Sequence, residues 1–505
     1  MFLDWPRKYQ SIIILILAVI ATAAVLIFTL PAENDYLMAA DEGTYYRQAQ
    51  ALSVHGRSAF NDLAEQYIKN TGLQLSPPPT RLGYPLTASF LVGIYDSPRS
   101  LSFVSLISYL LLIIFTFVYA KKFWGEKTAL LLALLMCVSP IGLGMARRAL
   151  NDSEFYLFAA LTFFSFLDYL RSSKDNRFYL FCLLLAVPCL IKETGFILLP
   201  FYIGSLIVLK MMRKGPVQYR HILLSALVPL TIAAASFTLA FKTPGGICLI
   251  YKIFLITPNA YVQWLQGPWY TYMLEYLLLS PVLTIGAIAY LGSYLFFPKK
   301  DVNIVLAAAL FIYNIIIFSF FIKSARYVMI IDLLLRLFMA LLLIEVDQRL
   351  AFSKNARKIF WLVVVFVLVS LELASFRHYF LINKVYDPIA YNLLRAENII
   401  PANIQFIVPA EQNMPSKPDP ADAYFKQGFI AYNQKKYEKS IEFNLMAIRI
   451  RPDFVEAYSN LGAAYGALAR WDEEIAACEK ALALNPTYIL AKNNLAYAKK
   501  MRLKR

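Results

Sequence analysis

Long apolar runs recur through the first three quarters of the chain and limit what it can fold into. Most have about 18–20 residues, which is the length a helix needs to cross a bilayer. Hydrophobic residues make up 59% of the 505-residue chain and charged residues 16%, which excludes an ordinary soluble protein. The sequence therefore predicts an all-α fold, a polytopic membrane helical bundle of about eleven spans. The predicted spans are 12–30, 100–119, 128–146, 155–170, 178–191, 194–212, 222–241, 275–297, 303–322, 327–345 and 359–376.

The charges between these runs predict an orientation. The net charge is +16, and lysine and arginine concentrate in alternate loops, such as 210–220 and 349–358. Because cytoplasmic loops carry the excess of basic residues, we place the N-terminus in the cytoplasm and the C-terminal tail on the outer side of the cytoplasmic (inner) membrane. If the cell is Gram-negative, the tail is in the periplasm. The first run lacks a small-residue cleavage site and is interpreted as an uncleaved signal anchor. We expect no nucleic-acid partner, because no basic patch is interleaved with exposed aromatic residues.

Cysteine and histidine are too scattered to form a metal or disulfide framework. The five cysteines show no CxxC spacing, and the three histidines are far apart in the chain. We predict no metal-ligating residues and name no cofactor. A requirement for a divalent metal is left open.

Polar residues from widely separated loops are predicted to meet on the outer face of the membrane. A first outer loop, about 31–99, carries an acid pair directly after the first span and a proline-rich segment near its end. The outer-face residues are Asp41, Glu42, Arg81, Asp152, Glu154, Lys192, Glu193, Arg326 and Tyr327. A second outer segment, about 242–275, is rich in aromatics that suit either an interfacial belt or a cover over a lipid headgroup.

This set suits glycosyl transfer from a lipid phosphate. Asp41 or Glu42 is the candidate base for an acceptor hydroxyl, and Asp152 and Glu154 would supply a second carboxylate. Cations would stabilise the leaving phosphate as its charge grows. The candidate donor-phosphate residues are Arg81, Lys192, Arg326 and Tyr327, with Glu193 fixing Lys192. Each also has a simpler explanation, since acids beside a span are often solvated and a lysine there can snorkel to the interface.

Asp332 and Arg336 lie inside the tenth predicted span, four residues apart and therefore on one face of a helix. Charges at that depth are costly and are usually paired or functional. Two interpretations stay open: a mutual ion pair that is structural, and a role beside the donor phosphate.

The tail changes character after about residue 380. Residues 381–420 read as a proline-rich linker, and a period of 34 follows in 421–505. Ala423, Tyr424, Gly428, Tyr437, Ile441, Ala447 and Pro452 recur as Ala457, Tyr458, Gly462, Trp471, Ile475, Ala481 and Pro486. The pattern resembles the tetratricopeptide repeat and predicts a small α-solenoid with a capping helix near 489–501. Such repeats imply a protein partner.

Residues 1–380 resemble the GT-C class of membrane glycosyltransferases, of the protein O-mannosyltransferase and aminoarabinose transferase type. The resemblance rests on Asp41-Glu42, Arg81 with Tyr84-Pro85, Asp152-Ser153-Glu154, Lys192-Glu193, Gly267-Pro268-Trp269-Tyr270 and Ala325-Arg326-Tyr327. It implies a polyprenyl-phosphate sugar donor, inversion at the anomeric carbon, Asp41 as catalytic base, and a protein or lipid acceptor. A histidine or lysine frequent near the proline motif of relatives is absent here, where Arg81 stands alone.

Two other functions remain as alternatives. One is an O-antigen ligase or oligosaccharyltransferase-type enzyme, although such enzymes concentrate their key residues in a late outer loop rather than the first. The other is a non-enzymatic membrane scaffold that recruits partners through its repeats. A transporter is disfavoured because the sequence shows neither inverted repeats nor broken mid-membrane helices.

Overall fold

The structure is a computed structural model, and the residues it describes are helical, with no strand among them. The described residues are 7–32, 40–69, 77–241, 252, 270–296, 300–320, 325–350, 353–383, 420–486 and 488–502. The chain divides into two compact units, Met1–Val408 and Pro409–Arg505. The predicted all-α class is thereby confirmed.

Most helices described in the first unit are apolar. Its helices are α1 (Arg7–Phe28), α2 (Ala40–His55), α3 (Ala59–Lys69), α4 (Gly83–Ile94), α5 (Arg99–Cys137), α6 (Pro140–Ala146), α7 (Asp152–Ser172), α8 (Asp175–Ile191), α9 (Leu198–Met211), α10 (Tyr219–Phe241), α11 (Thr271–Leu279), α12 (Pro281–Tyr294), α13 (Val302–Phe318), α14 (Ile330–Arg349) and α15 (Lys354–Ser375). Short 3-10 turns lie at Gly56–Ser58, Glu193–Ile197 and Ala325–Val328, and a π-helical turn, Phe376–Ile382, follows α15.

Each of the eleven predicted spans coincides with one or two of these helices. Five helical stretches of the described residues are long and apolar enough to cross a membrane: Tyr9–Phe28, Arg99–Cys137, Glu193–Met211, Tyr219–Phe241 and Asn355–Ile382. Shorter apolar helices lie at Gly83–Ile94, Pro281–Tyr294 and Val302–Phe318. These lengths and compositions support a membrane location for the first unit.

Local chemistry accounts for two features that the apolar pattern did not show, the bend within α5 and the start of α6. The second and third predicted spans are joined in α5, which bends at Gly125, where φ is +83°. That backbone conformation favours glycine. Two residues after α5, Ser139 caps α6 by accepting a hydrogen bond from the N–H of Gly142, with Pro140 in the first turn.

A buried ionic network ties several helices of the first unit together. The guanidinium of Arg336 lies 3.0 Å from the carboxylate of Asp332 and 2.7 Å from that of Glu372. Ser139 and Tyr156 donate hydrogen bonds to Asp332, from the starts of α6 and α7. Because the Arg336 donors are taken up by these groups and by a backbone carbonyl, the network favours the structural interpretation of the Asp332–Arg336 pair.

The second unit repeats one helical pattern with an offset of 34 residues. Its helices are α16 (Pro420–Asn433), α17 (Tyr437–Ile450), α18 (Val455–Ala467), α19 (Trp471–Leu484) and α20 (Ile489–Arg502). A Cβ on Gly428 would lie 2.6 Å from the Asn444 side chain, and one on Gly462 would lie 2.7 Å from Cys478. Both pairs are separated by 16 residues, so each glycine permits the same close approach of two helices. The tetratricopeptide assignment itself stays a prediction.

Two predicted features lie largely outside the described residues. Of the aromatic segment 242–275, only Lys252 and residues 270–275 are described. Of the linker 381–420, only residues 381–383 and 420 are described.

Candidate active site

The acid pair lies in the first turn of α2. Asp41 and Glu42 follow Ala40, the first residue of the helix. Carboxylates are favoured there because the helix dipole is positive at its N-terminus. Successive residues of a helix point in directions about 100° apart, so the two carboxylates face different neighbours.

Glu42 points inward and is held by the turn that precedes α7. Its side chain is 1% exposed, both carboxylate oxygens accept hydrogen bonds from the Arg148 guanidinium, and the N–H of Ala149 donates to it at 3.1 Å. Burial raises the pKa of Glu42 even though Arg148 acts to lower it. This carboxylate therefore anchors α2 to the α6–α7 turn.

Asp41 meets a residue that lies 285 positions further along the chain. Its carboxylate accepts a hydrogen bond from the guanidinium of Arg326 at 3.1 Å. The Asp41 side chain is 22% exposed, while that of Arg326 is 4% exposed. Asp41 is therefore the partly accessible carboxylate of the pair.

Arg326 links Asp41 to a second, wholly buried ion pair. Its Nε lies 3.4 Å from the Asp152 carboxylate, and the Asp152 carboxylate accepts a hydrogen bond from the Lys192 ammonium at 2.6 Å. The Lys192 ammonium also lies 3.9 Å from the centre of the Tyr327 ring, a cation–π contact. We call Asp41, Asp152, Lys192, Arg326 and Tyr327 the ionic cluster.

The backbone around Lys192 explains how it reaches the cluster. Helix α8 ends at Ile191, Lys192 is extended (φ −153°, ψ 143°), and the 3-10 turn Glu193–Ile197 follows. The Asn151 amide donates to the Ile191 carbonyl at 2.8 Å. This bond holds the end of α8 against the start of α7, so Lys192 and Asp152 face each other.

The cluster shifts the pKa values of its two most buried groups. Burial, together with the nearby charges of Arg326 and Arg81, lowers the pKa of Lys192 to about 8, although Asp152 opposes the shift. Burial acts to raise the pKa of Asp152, but Arg326 and Lys192 outweigh it and hold that pKa below its usual range. Near neutral pH Asp152 is ionised, and Lys192 loses its charge close to the physiological range.

Arg81 and Glu193 form a second pair beside the cluster. The Arg81 Nε donates to both Glu193 oxygens at 2.9 and 3.0 Å, and its Nη1 donates to the Tyr45 hydroxyl at 2.8 Å. Arg81 is close enough to Tyr327 and Asp152 to act on both electrostatically. A Cβ on Gly83 would lie 2.6 Å from the Ile191 side chain, so glycine allows the start of α4 to pack on the end of α8.

Several buried polar atoms near these residues have no hydrogen-bond partner within the described structure. They are the hydroxyls of Thr80, Ser153 and Thr194, the side-chain carbonyl of Asn151, and one carboxylate oxygen of Glu154. All lie within two residues of a predicted site residue. Such atoms are rare in folded proteins, and a ligand can satisfy them.

The structure brings most of the predicted residues together and separates two of them. Asp41, Asp152, Lys192, Arg326 and Tyr327 form the ionic cluster, with Arg81 and Glu193 next to it. Glu42 is held by Arg148 instead, and Glu154 is buried near the start of α7 without a contact to the cluster residues in the described structure. The prediction that Glu193 fixes Lys192 is wrong, because Glu193 pairs with Arg81 and Lys192 pairs with Asp152.

Sequence reasoning gave no site role to Tyr45 or Arg148. Tyr45 follows the acid pair by one helical turn, and Arg148 belongs to an arginine pair in an otherwise weakly basic outer turn. Both residues stand out in the sequence, but the sequence does not show that Tyr45 meets Arg81 or that Arg148 meets Glu42. Among the described residues, no group of three or more histidines, cysteines, aspartates or glutamates could hold a metal ion.

Comparison with known proteins gives a family match for part of the first unit. Residues 82–238 match the family described as dolichyl-phosphate-mannose-protein mannosyltransferase. This segment includes Asp152, Lys192 and Glu193 but not Asp41 or Arg326. The match supports a glycosyltransferase function for the first unit.

Solved structures give the fold. The archaeal oligosaccharyltransferase AglB from Archaeoglobus fulgidus, in complex with an inhibitory peptide and a dolichol-phosphate, aligns with a TM-score of 0.50 at 12% identity, over 86% of this chain. This chain has the fold of a GT-C glycosyltransferase. It spans 60% of the length of AglB. ArnT from Cupriavidus metallidurans, bound to undecaprenyl phosphate, aligns with a TM-score of 0.46 at 13% identity, over 98% of this chain and 79% of ArnT.

The predicted resemblance to the GT-C class is confirmed by the family match and by the fold shared with AglB. These matches do not show the predicted tetratricopeptide tail.

Proposed function

We propose that the first unit transfers a sugar from a polyprenyl-phosphate donor to a hydroxyl group of a protein or of a lipid or glycan on the outer face of the cytoplasmic membrane. The observation that carries the proposal is the ionic cluster, in which a partly exposed carboxylate, Asp41, touches the same arginine as the buried Asp152–Lys192 pair. A candidate base and two candidate phosphate-binding cations are thus connected by contacts of 2.6 to 3.4 Å. The family match over residues 82–238 supports the same reaction class.

The reaction divides naturally between these groups. The acceptor hydroxyl gives its proton to Asp41 while its oxygen attacks the anomeric carbon from the face opposite the phosphate, which inverts that centre. The bond between the anomeric carbon and the phosphate oxygen breaks, and its electron pair stays on the phosphate. Lys192 and Arg326 stabilise the additional negative charge, since both are buried where a charge interaction is strong.

The unsatisfied polar atoms around the cluster support a sugar as the transferred group. Hydroxyls of Thr80, Ser153 and Thr194 and the amide oxygen of Asn151 are buried without partners in the described structure. A sugar carries several hydroxyl groups that both donate and accept, so it can satisfy atoms of this kind.

The direct test is Asp41→Asn, which keeps the shape of the side chain but removes the proton acceptor. Release of polyprenyl phosphate is measured in proteoliposomes with a panel of polyprenyl-phosphate hexoses and pentoses. Transfer should fall by at least a hundredfold, within the range that acid–base catalysis contributes. Asp62→Asn is the matched control, because Asp62 is an exposed acid of the same outer loop. Full activity in Asp41→Asn would remove the assigned base.

A further inference from the structure

An apolar groove lies between α9 and α13, away from the ionic cluster. It encloses about 630 Å³, a volume typical of ligand sites. Its walls are mainly valine, leucine, isoleucine and phenylalanine side chains, and Lys214 and Lys300 lie at one end. Both lysines are exposed. A groove with apolar walls and a cationic mouth is chemically matched to a lipid with an anionic headgroup.

The cationic end lies at the end of α9 that is farther from the cluster. Helix α9 begins directly after the 3-10 turn Glu193–Ile197, which adjoins Lys192, and it ends at Met211. Fourteen helical residues span about 21 Å, so one phosphate cannot contact both Lys192 and Lys214. The charge-based topology predicts that this end faces the cytoplasm.

Aromatic contacts bridge the groove at the end near the cluster. The Tyr313 hydroxyl donates to the Ile197 carbonyl at 2.7 Å, and the Tyr313 and Phe201 rings lie 5.3 Å apart. Between this bridge and the lysines, the groove follows about 18 Å of helix, from Pro200 to Met212. Half of a hydrocarbon core of about 30 Å is about 15 Å, so the groove has the depth of one leaflet.

The two lysines are placed to meet a headgroup at the interface. The Lys300 ammonium donates to the Tyr294 carbonyl and lies 4.8 Å from the Tyr294 ring. The neighbouring carboxylate of Asp301 accepts the N–H of Asn303 as the cap of α13. Lys210 and Arg213 add positive charge near the same end. Basic residues near the membrane surface attract anionic lipids of the adjoining leaflet.

We propose that the groove between α9 and α13 binds an anionic phospholipid of the leaflet opposite the ionic cluster, with an acyl chain between the helices and the headgroup at Lys214 and Lys300. This site goes beyond the proposed transfer reaction. The depth of one leaflet, the bridge towards the cluster and the charge at the far end all favour a phospholipid over the long chain of a polyprenyl donor.

The test measures bound lipid on the purified full-length protein, without sugar donor or acceptor. The protein is equilibrated with phosphatidylcholine vesicles that contain phosphatidylglycerol, re-purified, and its retained lipids are quantified by mass spectrometry. The wild type should retain phosphatidylglycerol several-fold over its share of the vesicles. The double variant Lys214→Gln/Lys300→Gln should lose this preference, whereas Lys358→Gln, at an exposed lysine of α15, should keep it.

A glycine pair separates groove binding from general lipid adhesion. A Cβ on Gly204 or on Gly292 would meet no atom within 4 Å, but only Gly204 lines the groove. Gly204→Leu should abolish the retention of phosphatidylglycerol, and Gly292→Leu should not. The proposal would be overturned if the wild type retained phosphatidylcholine as well as it retains phosphatidylglycerol. It would also be overturned if Gly204→Leu retained as much phosphatidylglycerol as the wild type. If Gly204→Leu instead removes added polyprenyl phosphate and spares phosphatidylglycerol, the groove belongs to the donor. Since no transfer is measured, these results do not depend on the proposed reaction.

Discussion

At the scale of single residues, Asp41 and Glu42 are neighbours with different partners. The turn of α2 sends Glu42 into the protein, where Arg148 and the Ala149 N–H take up its oxygens. Asp41 stays partly exposed against Arg326. Their different burial therefore separates an anchoring carboxylate from a candidate base, although the two side chains differ by a single methylene group.

Glu42→Ala is expected to act on stability. Removing one partner of a buried ion pair leaves the other charge uncompensated, which costs roughly 3–5 kcal/mol. We expect a clear fall in the unfolding temperature in detergent, measured by intrinsic fluorescence. Asp62→Ala, at an exposed acid of the same outer loop, should unfold like the wild type. An unchanged unfolding temperature in Glu42→Ala would show that the Arg148 contact does not hold α2.

The lowered pKa of Lys192 predicts that donor binding depends on pH. Its pKa is lowered to about 8 by burial, so the ammonium is charged below that pH and neutral above it. A neutral amine binds phosphate poorly, and the KM for the donor should rise about fivefold between pH 8 and pH 9 as the protonated fraction falls. Steady-state kinetics across pH 6.5–9.5 measure this change.

Lys192→Arg is the matched variant for that experiment. Arginine stays charged over the whole range, so a KM rise caused by Lys192 should disappear even if the variant is slower. A rise that persists with arginine at this position would assign the titration to another group.

At the scale of elements, the turn between α8 and α9 positions two site residues. A Cβ on Gly195 would lie 2.3 Å from the Pro188 carbonyl oxygen, so the 3-10 turn packs on the last turn of α8 in a way that only glycine allows. Gly195→Ala must push the turn away from α8 and displace Lys192 and Glu193. Because small misplacements cost catalytic rates heavily, transfer should fall at least tenfold.

Gly204→Ala provides the comparison, since a Cβ there meets no atom within 4 Å. It should keep wild-type transfer and stability. If Gly195→Ala also keeps them, the close approach of this turn to α8 does not position Lys192.

The elements also show what could be predicted from the sequence. Apolar runs of bilayer length predict helices because length and composition decide that outcome locally. The join of two runs into α5 rests on the backbone conformation of Gly125, which the apolar pattern does not encode. The pairing of Glu372 with Arg336 depends on packing between two helices. Charge type and loop order indicated which residues gather at the site, but the choice of Arg148 for Glu42 and Arg326 for Asp41 follows from packing that no local pattern encodes.

At the scale of the whole molecule, the ionic cluster and the repeats lie in different units. The ionic cluster draws all its members from Met1–Val408, and the 34-residue repeat lies wholly in Pro409–Arg505. Each unit has its own buried core, since clusters such as Ala421, Ala447, Phe454 and Ala457 close within the second unit. We therefore propose that the repeats recruit a protein partner and take no part in the transfer step.

A chain ending at Val408 tests this division. It should insert, stay monodisperse in detergent, and transfer sugar to a small soluble acceptor within about twofold of the full-length rate, because no residue of the proposed reaction is removed. Transfer to the protein acceptor of the native membrane should fall much further if that acceptor is delivered through the repeats.

Point variants on the repeats then provide the control, since Gly462→Leu would disturb the contact with Cys478 while leaving the first unit intact. Loss of small-acceptor transfer in a well-folded truncated chain would place part of the active site in the second unit, and equal loss with both acceptors would argue against a recruiting role.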